Sequence, residues 1–120
     1  MIKYHNSGHR HIIADLIDDD FIIRQTQDAL DLMSETGSND CNRIIISARN
    51  LHKDFFNLKT GLAGDILQKF SNYNFRLAIV GDFTKFQSKS LQDFIRESNR
   101  GNRIFFVENT DTAIKKLTSV

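Results

Sequence analysis

Several short stretches carry residues whose types could do chemistry: Ser47-Ala48-Arg49, Asp54, Lys59-Thr60-Gly61-Leu62, Gly81-Asp82 and Glu108. Thr60 stands at the head of an apolar pattern, Leu62, Ala63, Ile66, Leu67 and Phe70, with helical spacing. A Thr at such a boundary reads as an N-cap, its side-chain oxygen accepting from the backbone N–H two or three residues on. Gly61 and Gly64 leave the first turn of that helix open to close approach. A phosphate added at Thr60 would meet free N–H groups and the positive end of the helix dipole. The plainer reading is a capped helix packed tightly on a sheet.

Gly81-Asp82 closes an apolar run. There, Gly permits backbone approach and Asp can bind a hydroxyl or orient a base, although a simple turn needs the same two residues. If Arg49, Asp54, Thr60, Asp82 and Glu108 share one edge, an acid beside a cation could do acid–base work or grip an anion. Other candidates read more plainly. His9 and His11 alternate on one strand face, but no further ligand cluster joins them, so a solvent-side pair is expected and no metal. Cys41 has Arg43 nearby but no triad spacing. His52-Lys53-Asp54 reads as a solvated connection, and Asn99-Arg100-Gly101 as a helix C-terminal cap. Neither a Walker loop nor a G-x-G-x-x-G motif occurs, so nucleotide hydrolysis and dinucleotide binding have no support, and no cofactor is expected.

The elements that must position these residues follow from periodicity. Ile2 to His5 and Arg10 to Leu16 read as strands joined through a turn at Asn6-Ser7-Gly8. Thr26 can cap a helix that buries Ala29, Leu30 and Met33 and ends at Gly37. Arg43 to Ser47, Phe75 to Val80 and Ile104 to Val107 are apolar runs of the kind a sheet covered on both faces requires. Between them lie the Thr60 helix and a helix using Leu91, Phe94 and Ile95, with Ser90 and Asp93 as a capping box and Gly101 as its end. Asn109 or Thr110 can cap a final helix over Ala113, Ile114 and Leu117. The pattern is an α/β domain: a hairpin, then alternating helices and strands, giving a mixed, mostly parallel sheet of about five strands with about four helices. In such sheets the strand C-termini and the following helix N-termini gather along one edge, which is where a site is sought.

Composition bounds the partners. The 120 residues, 40% hydrophobic and 26% charged, suit one domain spanning 1–120. A net charge of +1 gives no general field for a phosphate backbone, so nucleic acid is not the expected partner. Ten Phe against two Tyr and no Trp suggest rings that pack a dry interior rather than stack on bases. One Cys allows no internal disulfide, and neither a leader nor a run of membrane-spanning length is read. A cytoplasmic location is expected, with no membrane association.

The segments "DFFNLKTGLAGDILQKFSNY", "LAIVGDF", "SKSLQDFIRESNRG" and "FFVENTDTAIKKL" together resemble the bacterial family known as domain of unknown function 4180, over essentially the whole chain. More distantly, the strand followed by F-x-x-x-T-G-L resembles STAS domains, the anti-sigma factor antagonist fold. In phospho-regulated members of that family the hydroxyl residue before the glycine is the switch. On this resemblance Thr60 stands at the switch position and Gly61-Leu62 match the pair that follows, while Leu58 and Lys59 replace the usual Asp and hydroxyl. It implies a regulatory module that binds a protein through the Thr60 helix start and the neighbouring Gly81-Asp82 loop, without turnover. The alternative is a small-ligand receptor or enzyme with a polar pocket at the strand ends. The hairpin's edge also offers a route to a homodimer.

Overall fold

The computed structural model describes residues 1–6 and 11–119. Strands β1 (Ile2–Asn6) and β2 (Ile12–Leu16) pair antiparallel, with Ile2 opposite Leu16 and Asn6 opposite Ile12. The hairpin is as expected and β1 is one residue longer. Its turn at Ser7-Gly8, the expected start of β2 at Arg10, and His9 lie outside the described residues. The chain then alternates through α1 (Thr26–Gly37), β3 (Arg43–Ser47), α2 (Leu62–Asn72), β4 (Arg76–Val80), α3 (Lys89–Arg100), β5 (Ile104–Val107) and α4 (Thr110–Thr118). Short 3₁₀ turns at Ala48–Asn50, Lys53–Phe56 and Leu58–Thr60 lead from β3 to α2, and another at Phe83–Lys85 follows β4. The sheet has five strands in the order β1-β2-β3-β4-β5, with β2 to β5 parallel.

This order places the helices. Each crossover from β2 to β5 steps to the next strand in the same direction, and right-handed connections then send α1, α2 and α3 to one face. Their apolar sides meet Ala14, Leu16, Ile44, Ile46, Leu77, Ile79, Ile104 and Phe106 in the larger core. The alternate residues Ile13, Ile45, Ala78, Phe105 and Val107 point the other way, where α4 covers them with Ala113 and Leu117. A strand buried on both faces explains why β3, β4 and β5 read as continuous apolar runs. Phe rings fill the space under α2 and α3: Phe56 stacks on Phe86 at 4.7 Å between centroids, and Phe83 meets Phe106 edge-on at 5.2 Å. The exposed large hydrophobic residues include no Phe, in line with a dry role for these rings.

Helix starts differ from expectation in detail. The N-cap of α1 is Gln25, not Thr26, because Asp28 reaches back to the Arg24 and Gln25 amides at 2.9 and 3.3 Å. The N-cap of α3 lies two residues before the expected Ser90: Ser88 accepts from Leu91 N–H at 3.2 Å, and Asp93 instead pairs with Lys89 and Arg96. The α4 cap is Asn109, whose Oδ1 accepts from Thr112 N–H at 2.8 Å. At the far end of α4, buried Arg43 donates from Nε to Leu117 O at 2.8 Å, a cation at a helix C-terminus that ties β3 to its cover.

Candidate functional site

The approach to α2 is built by two consecutive 3₁₀ turns, and Thr60 is their clasp. Its hydroxyl donates toward Asp54 O at 2.7 Å and Asn57 O at 2.9 Å, and its oxygen accepts from Leu62 N–H at 3.2 Å. The accepting bond to the amide two residues on is the one expected of a cap. The cap position itself belongs to Gly61, at φ 79°, a left-handed conformation that glycine adopts without strain and that turns the chain from the 3₁₀ turn into α2. With its proton committed to two carbonyl oxygens, the Thr60 hydroxyl is a poor phosphate acceptor. A phosphoryl group would break both donations and set an anion against the same carbonyls.

Asp54 contributes its backbone here, not its acid. Its N–H is received by His52 Nδ1 at 3.1 Å. A ring nitrogen that accepts an amide carries no proton, so the 3.6 Å approach of the Asp54 carboxylate to that atom is not an ion pair. Leu62 is half-buried at the head of α2, while Gly64 lies exposed in its first turn. A Cβ built on Gly64 would meet nothing within 4 Å, so the tight packing expected of this glycine is absent. Beside this helix start opens a hollow of about 520 Å3 lined by Phe56, Asn57, Leu58, Lys59, Ser88 and Ser90.

Arg49, Gly81 and Asp82 come together elsewhere, in a cleft of about 320 Å3 at the C-terminal ends of β3 and β4, with Ser47 and Lys85. Their polar groups already serve the fold. Arg49 Nε lies 2.9 Å from Asp19 Oδ1, both side chains being two-thirds exposed. Asp82 caps the turn that follows it, its Oδ1 accepting from Thr84 Oγ1 at 2.5 Å and Thr84 N–H at 3.1 Å. The Thr84 hydroxyl and then its amide hold the Asp82 carboxyl below the usual carboxylate range, the opposite of what a general base near neutrality needs. Gly81 is required by packing, since a Cβ there would come within 2.8 Å of Ala48 Cβ. Asp54, Thr60 and Glu108 do not line this cleft, and of these three only Thr60 and Asp54 are joined to each other, by the Thr60 hydroxyl on Asp54 O.

The profile of the family described as "Domain of unknown function (DUF4180)" matches residues 8–117. The chain belongs to that family. No curated protein and no solved structure matches it. The DUF4180 match runs from before β2 into the last turn of α4 and leaves β1 outside it. Among the described residues there is no group of three or more His, Cys, Asp or Glu that could hold a metal, and no helix is long and apolar enough to cross a membrane.

Two side chains that tie elements of this DUF4180 fold together are not marked by the sequence pattern. Asn50, 1% exposed, accepts from Ser47 N–H at 2.9 Å and donates to Asp18 O and Phe21 O, each at 2.9 Å. It straps the segment after β2 to the turn after β3, and Ile23 then pairs in parallel with Leu51. The signal was Ser47 followed three residues on by Asn50, a local box hidden inside a run that looked like loop. Asn99, read as part of a helix end, turns its amide onto Phe106 in β5.

Proposed function

We propose that this DUF4180 chain is a STAS-like regulatory module that binds a protein partner through the start of α2, with Leu62 and Gly64 at the contact. The observation that carries this reading is Gly64. A glycine inside a helix costs about 1 kcal/mol relative to alanine, and nothing within the fold repays it here, since space around the missing Cβ is open. A surface kept bare in a first turn suits the close approach of another chain's backbone or side chain. The resemblance of Thr60-Gly61-Leu62 to the STAS switch segment supports the same place, and the engaged Thr60 hydroxyl makes it a support for the surface rather than a reacting group.

The test is a photo-crosslinking residue placed at Gly64 in the host, with Ser71 on the same helix as control. A discrete protein adduct at Gly64, lost when Leu62→Arg is added and absent at Ser71, supports the reading. Equal adduct patterns at both positions, or none at either, sink it. The competing reading is a small-ligand site or an enzyme in the strand-end cleft. It is weaker because Arg49 and Asp82 are already engaged by Asp19 and Thr84. Native mass spectrometry of protein from the host separates the two: a retained small molecule released by Asp82→Ala favours the cleft.

A further inference from the structure

The two edges of the sheet are finished differently. On β5, the carbonyls of Arg103 and Val107 accept from Leu77 and Gly81 N–H at 2.9 Å each, so the alternate residues Ile104 and Phe106 turn their backbone groups outward. At Phe106 both groups are taken by one side chain: Asn99 Oδ1 accepts from Phe106 N–H at 2.7 Å, and Asn99 Nδ2 donates to Phe106 O at 3.1 Å. The amide imitates a neighbouring strand, and an incoming strand finds the middle of this edge occupied. Among the described residues β1 has no such cover. Ile17 N–H donates to Met1 O at 3.1 Å, which puts Lys3 and His5 in the hydrogen-bonded pairs with Asp15 and Ile13. The backbone groups of Ile2 and Tyr4 therefore point away from β2, and among the described residues nothing bonds to them.

We propose that a second copy of this chain adds to the β1 edge, antiparallel, with the two-fold axis at Tyr4. A strand paired with its own copy about a two-fold axis is self-complementary, so one surface serves both partners and the association closes at two. Charge selects the register. With Lys3 at the axis, two ammonium groups would stand directly opposite, an unfavourable pair. With Tyr4 at the axis, Lys3 lies opposite the second copy's His5, whose Nε2 is 3.2 Å from its own Asp15 Oδ2. Lys3 then meets that carboxylate-bonded imidazole instead of a second ammonium, and the symmetry repeats the contact. Tyr4 and Ile12, on the opposite face and 39% and 37% exposed, supply apolar area beside the axis.

The test is sedimentation and light scattering of the full chain over a concentration series. We expect a dimer that becomes a monomer with Tyr4→Pro, which deletes an outward N–H that β2 does not use, while circular dichroism stays unchanged. A cysteine pair reads the register whatever Tyr4→Pro does to the fold. Facing residues of a hydrogen-bonded antiparallel pair have Cα atoms about 5.5 Å apart, within disulfide reach. Tyr4→Cys should therefore cross-link on mild oxidation, and Lys3→Cys, facing His5, should not. Native Cys41 is buried, 2% exposed, and stays silent in both. A wild-type chain monomeric at every concentration, a dimer indifferent to Tyr4→Pro in a folded protein, or cross-linking by Lys3→Cys in place of Tyr4→Cys would overturn the proposal.

Discussion

Thr60 and Asn50 show at the scale of single residues how a polar side chain can look functional in a sequence and be architectural in a fold, or the reverse. Thr60 advertises itself by standing before Gly-Leu at a helix start, and its accepting bond to Leu62 N–H follows from that position. What the pattern did not reveal is where its proton goes, because Asp54 O and Asn57 O are brought to it by two turns that no periodicity marks. Asn50 gives no such advertisement, yet its side chain satisfies three backbone groups. Asn50→Ala leaves Ser47 N–H, Asp18 O and Phe21 O without that partner, and a buried group left unsatisfied costs about 1–3 kcal/mol. We expect a loss of roughly 2–4 kcal/mol in urea unfolding. Asn50→Asp keeps the acceptor but sets a carboxylate against two carbonyl oxygens, and should fall at least as far. An Asp variant as stable as wild type would show that the two donated bonds contribute nothing.

The elements themselves were largely legible, for a physical reason that also explains the misses. β3, β4 and β5 are covered on both faces, so their apolar runs are unbroken and β3 and β5 are found at their expected ends. Helix bodies were equally plain, since Ala63, Ile66 and Phe70 of α2 and Leu91 and Ile95 of α3 lie at helical spacing and are buried. Helix starts were less so. Gln25 displaced Thr26 because Asp28 could reach back, and Ser88 displaced Ser90 because Leu91 N–H was the donor in range. Neighbouring residues of similar capping chemistry compete, and only geometry chooses. The start of α2 carries the element-scale prediction. With open space around its Cβ position, Gly64→Ala should stabilise the protein by up to about 0.5–1 kcal/mol, the gain of alanine over glycine in a helix interior being the upper bound for this first-turn position. Thermal unfolding measures it. A lower melting temperature would mean that Gly64 has a role within the fold, and would remove the reason for assigning its bareness to a partner.

For the whole molecule, fold class and helix number followed from the alternation of patterns, whereas the separation of Thr60 from the strand-end cleft did not. Arg49 and Asp82 converge because β3 and β4 are adjacent and parallel, while Thr60 is carried off by the turns between β3 and α2. Adjacency of strands is a property of the sheet order, which no single motif encodes. The treatment of the sheet's two ends belongs to this scale too, and it predicts how the molecule behaves when the closed end is opened. Asn99→Ala removes the amide that occupies Phe106 N–H and C=O, leaving a second edge able to receive a strand. With β1 already available, each molecule then has two sites, and association can run on instead of closing. Light scattering should show species growing with concentration beyond a dimer. Combining Asn99→Ala with Tyr4→Pro should return the protein to small species by leaving only the β5 edge. Asn99→Asp, which still accepts from Phe106 N–H but cannot donate to Phe106 O, should fall between alanine and wild type. If Asn99→Ala sediments as wild type while remaining folded, the amide is only a local bond, and the sheet's edges are kept apart by something other than this side chain.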